Sequence, residues 1–108
     1  MIKVTDEQYK IIIDILKEFV PHCEVRAFGS RYKGTPKDYS DLDLAVVGEE
    51  KLEWHVIADL KDAFEESDLP FRVDVLDWHS TSPEFRKVIE KGYEVMYQAS
   101  GEVIASNC

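Results

Sequence analysis

Basic residues are scarce in this chain: 13 Lys and Arg stand against 22 Asp and Glu, a formal net charge of −9. Phosphate contacts supply most of the affinity for a nucleic acid, so a chain this acidic, with no basic cluster, is not expected to hold DNA or RNA by itself. A nucleotide chelated by magnesium stays open to it, because the cation bridges acidic protein and acidic ligand. Cysteine is rarer still. Cys23 and the last residue, Cys108, are too few for a disulfide framework and are expected as reduced thiols of a cytoplasmic protein. No apolar run approaches the ~18 residues of a membrane span, and the segment from Met1 to Asp6 turns polar too soon for a signal peptide. The three histidines, His22, His55 and His79, are scattered without metal-ligand spacing and are expected to be non-catalytic. Repeats, low-complexity stretches and linkers are lacking as well.

What is present reads as one small globular domain over residues 1–97, with 98–108 a polar, small-residue tail expected to fray. A hydrophobic content of 44% with 11% aromatics is enough for a core. Thr5 and Gln8 form a capping box, and Tyr9, Ile12, Ile13, Leu16, Phe19 and Val20 follow at helical spacing. They predict a helix of about fifteen residues stopping before Pro21. Strands are predicted over 24–28, 42–47 and 71–76, with a short closing strand over 93–97. Between them, Trp54, Ile57, Ala58, Lys61 and Phe64 trace a second amphipathic helix. Ser82 and Pro83 open a third, with Phe85, Val88 and Ile89 expected to face the core and Gly92 to sit at C′. Trp54 and Trp78 are expected as core or interface anchors. The order αβ(turn)βαβαβ implies an α/β or α+β domain built on a small mixed sheet.

The chemistry concentrates around one turn. Gly29-Ser30 ends the first strand, ten residues intervene, and Asp41-Leu42-Asp43 opens the second strand. Side chains at i and i+2 of a strand share a face, so Asp41 and Asp43 project together, with Cβ atoms roughly 7 Å apart from the ~3.3 Å rise per residue. Ten residues are short for a parallel crossover. An antiparallel pair is therefore expected, which places Gly29-Ser30 beside the two carboxylates. Gly29 permits close backbone approach to a ligand, and Ser30 adds a hydroxyl and free N–H groups for phosphate. Asp74 is a charged residue in an apolar strand, between Val73 and Val75, where an unpaired carboxylate is costly. If its strand neighbours the second, Asp74 completes a three-carboxylate cluster, with Asp77 as the substitute. Hard oxygen ligands without His or Cys suit Mg²⁺ or Mn²⁺. Arg31 and Lys33 are candidate phosphate contacts, Ser40 reads mainly as a turn cap, and Tyr32 and Tyr39 are candidate base stackers.

Gly29-Ser30, ten residues, then Asp41-Leu42-Asp43, with Ser40 before and Leu44-Ala45-Val46 after, resembles the minimal nucleotidyltransferases. These are small relatives of the DNA polymerase beta and kanamycin nucleotidyltransferase fold. Arg72-Val73-Asp74-Val75-Leu76 followed by Ser82-Pro83-Glu84-Phe85 resembles them too, while Tyr32-Lys33-Gly34 stands where many relatives have Ala-Arg-Gly. The likeness runs over residues 8–97. It implies the polymerase beta-like palm fold, with Asp41, Asp43 and Asp74 as catalytic metal ligands and Gly29, Ser30, Arg31 and Ser40 at the nucleotide. It implies Mg²⁺-dependent transfer of a nucleoside monophosphate, AMP from ATP, to a hydroxyl, with pyrophosphate released. It also implies a hetero-oligomer with an all-helical HEPN-type protein, toward which such chains act as antitoxins, adenylylating a tyrosine. Physics agrees, because 108 residues leave no room for a second domain to close the cleft. Two other readings remain: a nucleotide-binding antitoxin that mainly occludes its partner, and a small-molecule nucleotidyltransferase. Neither a membrane nor direct nucleic-acid binding is expected.

Overall fold

Residue alternation along two neighbouring strands decides the architecture. The computed structural model describes residues 4–29 and 41–98. The first strand, β1 (Glu24–Phe28), and the second, β2 (Leu42–Val47), run antiparallel, in a register that sets Phe28 opposite Asp43 and Glu24 opposite Val47. Leu42, Leu44 and Val46 are fully buried on one face, and Asp41 and Asp43 are half-buried on the other, as period-two alternation requires. Strand β3 (Val73–Asp77) lies parallel to β2 and β4 (Glu94–Tyr97) antiparallel to β1, giving a mixed sheet in the order β3-β2-β1-β4. Phe71 and Arg72, expected inside β3, precede it. The Arg72 carbonyl still accepts the Leu42 N–H at 2.9 Å, which ties the approach to β3 to the start of β2.

Two helices cover the apolar face. Helix α1 (Asp6–Phe19) starts on the expected capping box, in which Thr5 Oγ1 accepts the Gln8 N–H at 3.1 Å and Gln8 Oε1 accepts the Thr5 N–H at 2.9 Å. Its Ile12 and Leu16 meet Val25, Leu44 and Val46 of the sheet in one core. Burying each such side chain contributes about 1.5–3 kcal/mol. Tyr9 stays part-exposed, and its hydroxyl donates to the Met96 carbonyl at 3.1 Å. Helix α2 (Trp54–Glu65) makes the crossover from β2 to β3 and buries Leu60 and Phe64. Trp54, expected on its apolar stripe as an anchor, is 82% exposed. It occupies the first helical position, where its ring meets His55 edge-on with centroids 5.9 Å apart and stays outside the core.

Helix α3 (Pro83–Glu90) starts where Ser82 Oγ accepts the Phe85 N–H at 3.2 Å, with Pro83 in the first turn. Of its three expected core residues only Ile89 is buried, whereas Phe85 is 39% and Val88 57% exposed. Val88 is turned about 100° round the helix from Ile89, whereas Phe85 shares the row of Ile89 one turn earlier but is left partly open. Phe85 instead meets Phe28 edge-on, with ring centroids 6.0 Å apart. Gly92 follows the helix as expected, but its N–H simply bonds the Ile89 carbonyl at 3.0 Å. Among the described residues positive φ is confined to Gly29. Cys23 is a free, buried thiol, and burial followed by the neighbouring Asp77 charge pushes its pKa up. The expected tail beyond residue 98 lies outside the described residues, as does Cys108. Among the described residues no helix is long and apolar enough to cross a membrane.

Candidate active site

The exit of β1 and the starts of β2 and β3 converge at one end of the sheet. Gly29 has φ +82°, a left-handed conformation that a side chain disfavours, and a Cβ placed on it would collide with the Asp43 carboxylate. The bend after β1 therefore presses bare backbone against Asp43. Across β2, Asp43 stands directly opposite Asp74 in the parallel register, and adjacent strands are ~4.8 Å apart. Asp41 precedes Asp43 on the same face.

Electrostatics carry the mark of that crowding. The Asp43 carboxyl is held above its ordinary value, first by burial and then by the charges of Asp74 and Asp41. Arg72 reaches the cluster, its Nη2 3.9 Å from Asp74 Oδ1 in a largely exposed pair. A pair so open to water does little to offset the repulsion.

A chain-wide comparison bears on the same residues: the model of the family described as "Polymerase beta, Nucleotidyltransferase" matches residues 10–102. The chain belongs to the polymerase beta nucleotidyltransferase family. A relative from Haemophilus influenzae, described as "Probable protein adenylyltransferase MntA", is 50% identical over 95 residues, covering 88% of this chain and 83% of that one. A crystal structure of a toxin-antitoxin with AMP-PNP superposes with a TM-score of 0.72 at 25% identity, over 85% of this chain and 74% of that one. The MNT antitoxin complexed with a tri-AMPylated Shewanella oneidensis HEPN toxin shares the fold, with a TM-score of 0.58 at 20% identity over 90% of this chain and 75% of that one.

In this nucleotidyltransferase, Asp41, Asp43 and Asp74 thus lie on one side of the sheet at one end, with Gly29 against them. Ser30, Arg31, Lys33 and Ser40, together with Tyr32 and Tyr39, lie outside the described residues. The three carboxylates are side by side rather than closed around a point. Among the described residues no three His, Cys, Asp or Glu side chains are gathered tightly enough to hold an ion as they stand. As donors they are uniformly hard oxygens on adjacent strands, a set that fits Mg²⁺ or Mn²⁺ once the side chains turn inward.

Asp77 is not the substitute for Asp74. It shares the parity of Val73 and Val75, is only 7% exposed, and faces away from the carboxylate cluster. There it accepts hydrogen bonds from the Leu52 N–H at 3.1 Å, the His79 N–H at 3.2 Å and Ser80 Oγ at 3.0 Å. His79 is structural as well, its Nε2 lying 2.8 Å from the Gly48 carbonyl oxygen. His55 pairs with Glu53 at 3.4 Å on the surface.

Two features escaped the sequence. Arg26 is stacked between Trp78 and Tyr93, its guanidinium carbon 4.8 and 4.7 Å from the ring centroids. Trp78 thus anchors a cation rather than the core. Beside Asp74 a cavity of about 450 Å³ is lined by Lys61, Phe64, Leu69, Phe71 and Arg72. The i,i+2 rule that joined Asp41 to Asp43 also joins Arg72 to Asp74, a signal that was there to be used.

Proposed function

We infer that this protein is a Mg²⁺-dependent adenylyltransferase that moves AMP from ATP to a hydroxyl on an all-helical HEPN-type partner, acting as its antitoxin. The observation that carries this reading is the register of Asp43 against Asp74 beside the tight bend at Gly29. Support for the adenylyl group and the partner comes from the relative described as a protein adenylyltransferase and from the toxin-antitoxin structure with AMP-PNP.

Asp41 and Asp43 would hold the ion that carries the triphosphate, and Asp74 would join them at a second ion beside the acceptor. The metal would supply charge neutralisation and a lowered acceptor pKa. The chain itself does the positioning. Gly29 lets backbone close on the phosphates, where Ser30 and Arg31 would follow with hydroxyl, N–H and guanidinium donors. The acceptor oxygen attacks the α-phosphorus and the new P–O bond forms. The bond to the bridging oxygen breaks, and pyrophosphate leaves with the electron pair. Asp74, with its side chain 53% exposed, stands where it takes the acceptor's proton and passes it to solvent.

The exposed Phe85, Val88 and Trp54 favour a second reading, in which the chain mainly occludes its partner. The double variant Asp41→Asn/Asp43→Asn, assayed with labelled ATP and the partner, separates the two. Loss of AMP transfer together with loss of antitoxin action supports catalysis. Antitoxin action surviving without transfer supports occlusion.

A further inference from the structure

The three carboxylates and the glycine bend lie in an order across the sheet, and that order has a direction. Gly29 ends β1, Asp41 and Asp43 begin β2, and Asp74 lies on β3. An in-line displacement keeps attacking and leaving oxygens on opposite sides of the phosphorus. With the phosphates on the Gly29 side, the acceptor approaches over β3. On that side the cavity of about 450 Å³ opens between α2 and the residues leading into β3, with Asp74 in its wall.

Its lining is two-sided. Phe64 and Phe71, both buried, make an apolar floor that suits the body of a side chain rather than a phosphodiester. Lys61, Glu65 and Arg72 line it as well. Arg72 is only loosely engaged with Asp74, at 3.9 Å, and Lys61 makes no ion pair among the described residues. In a chain of net charge −9, Lys61 and Arg72 balance Glu65 and Asp74 in this lining, so the cavity is locally neutral and its two cations offset the acids beside the acceptor. Two such cations are too few to track a nucleic-acid backbone.

We propose that this cavity seats the acceptor segment and that Lys61 and Arg72 select a polypeptide whose hydroxyl-bearing residue is flanked by carboxylates. The inference rests on the transfer reading above and names its acceptor class. The apolar floor holds the ring or aliphatic stem, the hydroxyl reaches Asp74, and the flanking acids meet the two cations.

The test uses three peptides alike except at the flanks of one tyrosine: Glu-Tyr-Glu, Gln-Tyr-Gln and Lys-Tyr-Lys. AMP transfer from labelled ATP is measured with the full chain, Mg²⁺ and the helical partner present. The acid-flanked peptide is expected to exceed the Gln-flanked one by about three- to tenfold in kcat/KM, the worth of two exposed ion pairs. That gap should close at high salt. Lys61→Glu should erase or invert it and Arg72→Gln should narrow it, with the KM for ATP little changed. Equal rates for the three peptides, a preference untouched by both variants, or better labelling of a short oligonucleotide would overturn the proposal.

Fluorescence anisotropy of the same peptides, with a non-hydrolysable ATP analogue bound, reads the preference without catalysis. If no label reaches any acceptor, the transfer reading fails. Binding of the acid-flanked peptide that is lost in Lys61→Glu then still supports the cavity, and binding indifferent to charge overturns it.

Discussion

Asp43 and Asp74 face each other across two parallel strands, in the register that also pairs Leu44 with Val75 and Val46 with Asp77. Two carboxylates placed one strand spacing apart repel, and Asp43 is part-buried besides, so its charged form is disfavoured in the folded chain. A fold carries such a conflict where a ligand relieves it. Replacing Asp43 by Asn removes the charge and keeps the shape. The metal-free variant is expected to melt a few degrees above the parent while AMP transfer is abolished. Added Mg²⁺ should raise the melting temperature of the parent and not that of the variant. Differential scanning fluorimetry with and without Mg²⁺ checks both.

The same conflict fixes a pH dependence. The folded-state pKa of Asp43 lies above the ordinary value of 3.8. Between the two values the folded protein binds more protons than the unfolded chain, so stability falls as pH rises through that window. Below it, Asp43 is protonated in both states and the destabilisation vanishes. The difference in stability between parent and Asp43→Asn should therefore be small in acid and grow as pH climbs past the ordinary carboxylate range. For activity the sign reverses, because a protonated Asp43 cannot hold a cation. Transfer should fall at acid pH, and raising Mg²⁺ should move that limb lower. Melting curves and initial rates across pH decide it.

How much of this was legible in the sequence follows from which forces are local. Alternation is a property of a few neighbouring residues, so the bounds of β1 and β2, the shared face of Asp41 and Asp43, and the antiparallel pairing of the two strands could all be read from residues 24–29 and 41–47. Capping is local too, and Thr5, Gln8 and Ser82 cap as expected. Burial of a helix face depends on what arrives from elsewhere, so Phe85 and Val88 were assigned to a core that leaves them exposed, and of the two expectations for Trp54, core or interface anchor, the core one does not hold. Asp77 misled for a related reason. An acid near the end of a strand reads alike whether it serves a metal or gathers the N–H groups of the next turn. Its parity with Val73 and Val75 distinguishes the two, as does the opposite parity of Asp74.

Gly29 offers a sharper probe of the bend. At φ +82° a side chain costs about 1–2 kcal/mol in backbone strain, and the added methyl of Gly29→Ala would also strike the Asp43 carboxylate. Relaxing that clash moves Asp43 or the bend, and either shift would separate the proposed metal ligand from the proposed phosphate cradle. The variant should lose about 1–2 kcal/mol of stability, and its activity should fall by far more than that loss explains at temperatures where it is fully folded. Urea denaturation measures the first effect. Mg²⁺-dependent transfer rates on the folded protein measure the second.

Asp74 and Asp77, three residues apart on β3, should part company when each is replaced. Asp77 satisfies two backbone N–H groups and a hydroxyl inside the protein. Asp77→Ala leaves those donors unpaired, and losing a buried acceptor costs about 1–3 kcal/mol for each group stranded. A loss of about 2–4 kcal/mol is expected, because part of the site opens to water. Asp77→Asn keeps one oxygen and should lose less. Where either variant remains folded, transfer should persist, since the side chain faces away from the carboxylate cluster. Asp74→Asn is the mirror case: the side chain is exposed, its ion pair with Arg72 is long at 3.9 Å, and the variant should unfold within about 0.5 kcal/mol of the parent while transfer disappears. Paired urea melts and rate measurements on these variants test whether β3 keeps chemistry on one face and architecture on the other. Should Asp74→Asn remain active or Asp77→Asn abolish transfer without unfolding, the two roles have been assigned to the wrong residues.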